Sequence, residues 1–125
     1  MLFDNLSCNK DTKLERIFLC RNHIGNQGAI YFSEFLSNNT SFKYIDLGDC
    51  NIGNTGIISI FEVLKNNNNV LDVSLENNNI TEGANFICEV LRINQKLRRI
   101  NLQWNHITFD SGDLEEFDNR IMLYN

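Results

Sequence analysis

The chain repeats one pattern of apolar residues four times at nearly constant intervals. The copies run 14–24, 42–52, 70–80 and 97–107, so their first residues lie 28, 28 and 27 positions apart. A period of this length is typical of stacked supersecondary units, because one such unit is too small to bury its own apolar face. The repeat therefore predicts a solenoid in which each unit packs on its neighbours.

Five columns of the repeat hold apolar residues or asparagine, at offsets of 0, 3, 5, 8 and 10. They are Leu14/Phe42/Val70/Leu97, Ile17/Ile45/Val73/Ile100, Leu19/Leu47/Leu75/Leu102, Asn22/Cys50/Asn78/Asn105 and Ile24/Ile52/Ile80/Ile107. The alternation of the second and third columns predicts a short strand with one buried face. An asparagine amide is both donor and acceptor, so a stack of asparagines is expected to satisfy the backbone of successive turns.

The second half of each repeat has the period of a helix. Gly28, Gly56 and Gly83 align, and residues that are apolar except for Ser33 follow them at offsets of 1, 4, 5, 7 and 8, which is one face of an α-helix. Polar, asparagine-rich segments such as 65–69 follow the helices and are interpreted as linkers. Strands pack about 4.8 Å apart and helices about 8–10 Å apart, so the stack is expected to curve with its strands on the inside.

The two ends depart from the repeat. Residues 1–13 resemble the second half of a repeat and are predicted to form an N-terminal cap, followed by repeats at 14–41, 42–69, 70–96 and 97–109. Residues 110–125 are predicted to form a C-terminal capping helix, with Leu114, Phe117, Ile121 and Met122 on its apolar face. The alternative is a short helix followed by a strand at 121–123.

The columns together read L-x-x-L-x-L-x-x-N/C-x-L, with a Gly-x-x-Gly turn at Gly25–Gly28 and at Gly53–Gly56. Over residues 14–112 this pattern resembles the ribonuclease-inhibitor-like class of leucine-rich repeat proteins. The resemblance implies an α/β solenoid of about four repeats, a short arc with a parallel β-sheet on the concave face and α-helices on the convex face. Such arcs bind unrelated partners, so the resemblance names no partner.

Composition narrows the classes of partner and compartment. The 125 residues carry a net charge of −5 and a pI near 4.9, which disfavours nucleic acid and anionic membranes and favours a basic patch on another protein. The sequence lacks a run of about 20 apolar residues and an evident signal peptide, which favours a cytoplasmic protein with free thiols. Its richness in asparagine and lack of proline also fit an effector secreted into a host cytosol.

The candidate binding residues lie between the inward strand residues, where register places them on the concave face. Asp46, Asp49, Asp72 and Glu76 are predicted to form an acidic strip with no basic residue between them, while Arg99 is among the flanking arginines. Tyr44 and Trp104 are expected to be apolar anchors, because large aromatic side chains are enriched at binding hot spots. The alternative for Trp104 is packing over the C-terminal helix.

The sequence predicts a non-catalytic protein-interaction module that uses the concave face. His23 and His106 are too far apart in the stack to share a metal, and we expect no cofactor. A nucleophile paired with a base, a phosphate loop and a metal-ligand pair are all missing from the pattern. One alternative is a regulator that stimulates a GTPase, as Ran GTPase activators of this repeat class do. Another is a structural unit that self-associates through its repeat ends.

Overall fold

The computed structural model describes residues 14–124, along which strands and helices alternate. The strands are β1 (Arg16–Phe18), β2 (Tyr44–Asp46), β3 (Asp72–Ser74), β4 (Arg99–Asn101) and β5 (Ile121–Met122). The helices are α1 (Gly25–Ser37), α2 (Asn54–Leu64), α3 (Ala84–Ile93) and α4 (Ser111–Phe117). The predicted unit of strand, turn and helix is confirmed in this part of the chain. Among the described helices, none has the length and hydrophobicity that a membrane span requires. The N-terminal cap predicted at 1–13 lies outside the described residues.

All five strands form one parallel sheet, in which their spatial order is their order in the sequence. The second column of the repeat runs straight across the sheet: Ile17 pairs with Ile45, Ile45 with Val73, Val73 with Ile100, and Ile100 with Ile121. Because alternate strand residues point to opposite faces, this register keeps one face of the sheet apolar and the other open.

The apolar face of the sheet and the inner sides of the helices enclose one core. The strand columns are almost completely buried from the second copy onward, and the helices add large side chains such as Phe32, Phe61 and Leu91. Leu14 differs from the other members of its column because half of its side-chain surface is exposed. The core is therefore continuous through the middle repeats and weaker at the first one.

Asparagine joins consecutive turns, as the column of asparagines predicted. The Asn78 Oδ1 accepts hydrogen bonds from the backbone N–H groups of Cys50 (3.1 Å) and Ile52 (2.9 Å). Its Nδ2 donates to the carbonyls of Leu47 (3.0 Å) and Leu75 (2.9 Å). One buried side chain thus satisfies backbone groups of two neighbouring repeats, which are costly to bury unpaired.

A second asparagine column lies at the opposite end of the repeat, within the segments interpreted as linkers. Asn39, Asn67 and Asn94 are all buried. The Asn94 Oδ1 accepts from the backbone N–H groups of Lys96 (2.9 Å) and Leu97 (3.0 Å), while its Nδ2 donates to the Leu64 carbonyl (2.6 Å). These linkers are therefore structural joints between a helix and the following strand.

The predicted capping helix over 110–125 is wrong in its extent, and the alternative of a short helix and a strand is correct. Helix α4 ends at Phe117, and β5 then pairs with β4. Phe117 is buried beside the guanidinium of Arg92, 5.4 Å from its ring centroid, and Arg120 donates to the carbonyls of Leu91 (2.8 Å) and Leu97 (3.0 Å). These contacts turn the chain back to the sheet, where Ile121 occupies the same column as Ile100.

Candidate functional site

The open face of the sheet presents two rows of side chains. The first row runs Arg16, Tyr44, Asp72 and Arg99, and the second runs Phe18, Asp46, Ser74, Asn101 and Met122. Inward residues between these positions are buried, whereas the row residues are half-buried or exposed. The face is therefore a continuous surface whose side chains are free of core packing.

Arginines engage two of the predicted site residues in the first row. The Arg16 guanidinium lies over the Tyr44 ring, 4.7 Å from its centroid, and the Arg98 Nε donates to the Asp72 Oδ1 at 3.0 Å. The hydrogen bond to Asp72 raises the pKa of Arg98 above its ordinary value. Arg98 therefore partly neutralises Asp72, a contact that the predicted acidic strip did not include.

The other three predicted carboxylates lie together where the strands end. Asp46, Asp49 and Glu76 line a recess of about 280 Å³, together with Cys20, Arg21, Gly48 and Asn77. The Asp46 Oδ1 accepts a hydrogen bond from the Gly48 N–H at 2.9 Å, so its carboxylate is held in place by the backbone. Asn101 makes the equivalent bond to the Gln103 N–H at 3.0 Å, which shows that a neutral amide can replace this carboxylate in the turn.

Trp104 lies in the turn that follows β4, with 57% of its side-chain surface exposed. Its backbone is left-handed, with φ of 59°, as are the backbones of Arg21, Asp49 and Asn77 at the same position of earlier repeats. Asparagine and aspartate tolerate this conformation far better than a bulky aromatic residue. Trp104 therefore holds a large apolar side chain at the edge of the face in a conformation that a smaller residue would favour.

Two apolar side chains that were not among the predicted binding residues lie on the outermost strands of the described sheet, on the same face. Phe18 on β1 is 65% exposed and Met122 on β5 is 36% exposed. With Tyr44, Asp72 and Arg99 they help to line a groove of about 240 Å³ across the strands. The alternation of the strand predicts the position of Phe18, whereas Met122 could be placed only once β5 was recognised as a strand.

Two cysteines of the described residues, Cys50 and Cys88, are buried in the core. Burial raises the pKa of the Cys50 thiol, and burial together with Asp113 raises the pKa of Cys88 to about 11, so both stay protonated near neutral pH. Within residues 14–124, no group of three or more His, Cys, Asp and Glu side chains could hold a metal ion. What the open face offers is charge, hydrogen bonds and exposed apolar surface.

Comparison with known proteins identifies the same repeat. A family model described as "Leucine Rich repeat" matches residues 38–61 and 94–110. The chain has no match among curated proteins.

Solved structures match the fold at low sequence identity. The structure of leiomodin-1 actin-binding site 2 superposes with a TM-score of 0.80 at 21% identity, covering 98% of this chain and 76% of the other. The tropomodulin C-terminal domain from Caenorhabditis elegans gives 0.77 at 12% identity, covering 98% and 80%. At these identities the similarity is one of fold.

Proposed function

Because the chain is a leucine-rich repeat protein with one open sheet face, we propose that it is a non-catalytic interaction module that binds a partner protein through that face. The observation that carries the proposal is the exposure of Phe18 in a groove of the open face that Asp46, Asp72 and Arg99 also line. Trp104, in the turn after β4, is a second exposed aromatic side chain. Large apolar side chains next to charged groups are typical of interfaces, where a few anchors supply most of the binding energy.

The predicted site residues take distinct roles in this proposal. Trp104 and Tyr44 provide apolar anchors, and Asp46, Asp49 and Glu76 attract a basic group of the partner. Asp72 and Arg99 contribute to orientation, since Arg98 already occupies one oxygen of Asp72. The net charge of −5 supports a protein partner over nucleic acid.

Affinity capture from cytosolic extract tests which face binds. The face variant combines Trp104→Asn with Glu76→Gln, because Asn77 shows that asparagine suits the left-handed position. The matched control combines Tyr31→Asn with Glu62→Gln, which removes one aromatic ring and one charge from the exposed helix side. We expect a partner that the native chain and the control capture and the face variant loses. Capture of the same proteins by all three would contradict binding through this face.

Actin is a more specific candidate for the partner. The supporting observation is that the leiomodin-1 structure, which matches 98% of this chain, is named as an actin-binding site. Cosedimentation with actin filaments and binding to fluorescent actin monomers test this candidate. Saturable binding by the native chain that the face variant weakens would support it. An absence of binding to both forms of actin would remove it and leave the module's partner to the capture experiment.

We further propose a cytoplasmic location, including delivery into a host cytosol as an effector. Support comes from the free cysteines Cys20, Cys50 and Cys88 within the described residues, since a reducing compartment keeps thiols unpaired. Fractionation of the source cells would test it, and recovery of the protein only from an oxidising compartment would contradict it.

A further inference from the structure

The open face is divided by charge along the direction of its strands. On the side where the strands begin, the Lys43–Glu15 ion pair adds no net charge. The other charged side chains of the open face there are the three arginines Arg16, Arg98 and Arg99 and one carboxylate, Asp72, which Arg98 contacts. This group of four is called the arginine half. Arg98 is 60% exposed even while it contacts Asp72, so its guanidinium retains donors that face solvent.

On the side where the strands end, the balance is reversed. Here the three carboxylates Asp46, Asp49 and Glu76 line the recess with one arginine, Arg21. This group is called the carboxylate half. The two halves thus carry opposite net charge, although each contains both signs.

The halves run in parallel across the sheet because neighbouring strands pair without an offset. Asp72 in one half begins β3, and Glu76 in the other lies two residues beyond the end of β3. The two residues are four positions apart, which spans at most about 13 Å at 3.3 Å per residue. The groove that contains Phe18 and Met122 crosses the strands near the boundary. Opposite charges therefore flank apolar surface at a fixed spacing.

We infer that the open face selects an extended partner segment that carries an acidic residue and a basic residue about four positions apart, with an apolar residue between them. The acidic side chain lies against the arginine half and the basic side chain against the carboxylate half. The inference rests on the proposed function and deepens it. It replaces a uniformly basic partner patch with a pair of opposite charges, because a uniformly basic patch would meet the arginine half with like charge.

Selection from a phage-displayed library of random 12-residue peptides tests the inference without a known partner. We expect selected peptides to share an acidic residue, an apolar residue and a basic residue in the inferred spacing. Synthetic copies are then measured by fluorescence anisotropy against the native chain and against two neutralised variants. Arg98→Gln with Arg99→Gln neutralises the arginine half, and Asp46→Asn with Glu76→Gln neutralises the carboxylate half. The Asp46→Asn change retains the turn bond that Asn101 makes elsewhere.

Matched controls remove the same number of charges at other exposed or partly exposed positions. Lys65→Gln with Lys96→Gln controls for the loss of two positive charges, and Glu62→Gln with Glu89→Gln controls for the loss of two negative charges. We expect each face variant to weaken the selected peptides about 10-fold and each control to change affinity less than about 2-fold. When the peptide's acidic residue alone is replaced by alanine, its affinity should be the same for the native chain and for the variant with Arg98→Gln and Arg99→Gln.

The outcomes separate this inference from the proposed function. Peptides that need Trp104 or Phe18 but carry one charge sign, or none, would overturn the inference while leaving the face as the binding surface. Peptides whose affinity no face variant changes would overturn both. Thermal unfolding of each variant shows that a loss of affinity is not a loss of fold.

Discussion

Asn78 and Asn22 occupy the same column of the repeat, yet their surroundings differ completely. Asn78 is 5% exposed, and its amide group joins the turn of its own repeat to the turn before it. Asn22 is exposed, and its Nδ2 donates to the carbonyls of Leu19 (2.8 Å) and Cys20 (3.3 Å) in its own turn. The same residue is thus a joint in the middle of the stack and a local turn residue in the first described repeat.

Cys50 occupies the same column between these two asparagines. Its thiol donates a hydrogen bond to the preceding turn but does not accept bonds as the Asn78 amide does. Its Sγ donates to the Leu19 carbonyl at 3.1 Å, as the Asn78 Nδ2 donates to the Leu47 carbonyl. A thiol has no counterpart of the amide oxygen that accepts two backbone N–H groups at Asn78. The first turn is therefore joined to the second more weakly than the second is joined to the third.

Replacing Asn78 by alanine should give the largest loss of stability. The backbone N–H groups of Cys50 and Ile52 would lose their acceptor, and two buried carbonyls would lose a donor. At about 1–3 kcal/mol for a buried group left unsatisfied, we expect the free energy of unfolding to fall by about 3 kcal/mol or more. Urea unfolding followed by circular dichroism measures this change. A loss below about 1 kcal/mol would mean that the column does not act as a joint.

Gly56→Ala tests close packing in the same middle region. An added Cβ would lie 2.7 Å from the Ile52 Cγ2, 2.8 Å from the Asn26 Oδ1 and 2.9 Å from the Ala29 Cβ. Asn26 also accepts hydrogen bonds from the N–H groups of Gly53 and Gly56, so α1 and α2 cannot separate without loss of these bonds. We expect a destabilisation of about 2 kcal/mol, measured by urea unfolding. An unchanged midpoint would show that the two helices can move apart freely.

The difference between the middle repeats and the ends of the described chain also explains how much of the fold the sequence could predict. The columns of the repeat predicted the positions of the strands, the buried faces and the turn asparagines, because the residues of one column pack in the same way in each repeat. The joint at Asn67 was missed because it lies in the asparagine run 66–69, where spacing alone cannot distinguish a buried amide from a solvated one. The joint at Asn94 was missed because its segment was interpreted as a polar linker. At the C-terminus, Ile121 fits both a helical face and a strand column, and only pairing with β4 decides between them.

For the candidate site, register placed Tyr44, Asp72 and Arg99 correctly on the open face. It could not predict the contact between Arg98 and Asp72, since Arg98 reaches the face through the length and rotamer of its side chain. It also could not predict the exposed position of Met122, which depends on the end of α4. Backbone periodicity therefore predicts which residues share a face, but not which side chains pair on it.

Asn22→Ala is expected to have a small effect and so sharpens the contrast with Asn78. The substitution removes exposed hydrogen bonds to the Leu19 and Cys20 carbonyls that water can replace, so the loss should be no more than about 0.5 kcal/mol. The measurement is the same urea unfolding experiment, performed beside Asn78→Ala. If the two variants lost equal stability, exposure would not determine what this column contributes.

Gly112→Ala is expected to have the smallest effect, with the opposite sign to Gly56→Ala. Gly112 lies in the first turn of α4, and an added Cβ would have no described atom within 4 Å outside its immediate neighbours. Alanine restricts the unfolded chain more than glycine and favours the helix, so the free energy of unfolding should rise by about 0.5 kcal/mol. Gly56→Ala in the same urea series is the matched control, because both substitutions add one methyl group near the start of a helix. A loss of stability at Gly112 would mean that the C-terminal end is packed as closely as the middle, which would remove the distinction between the two regions.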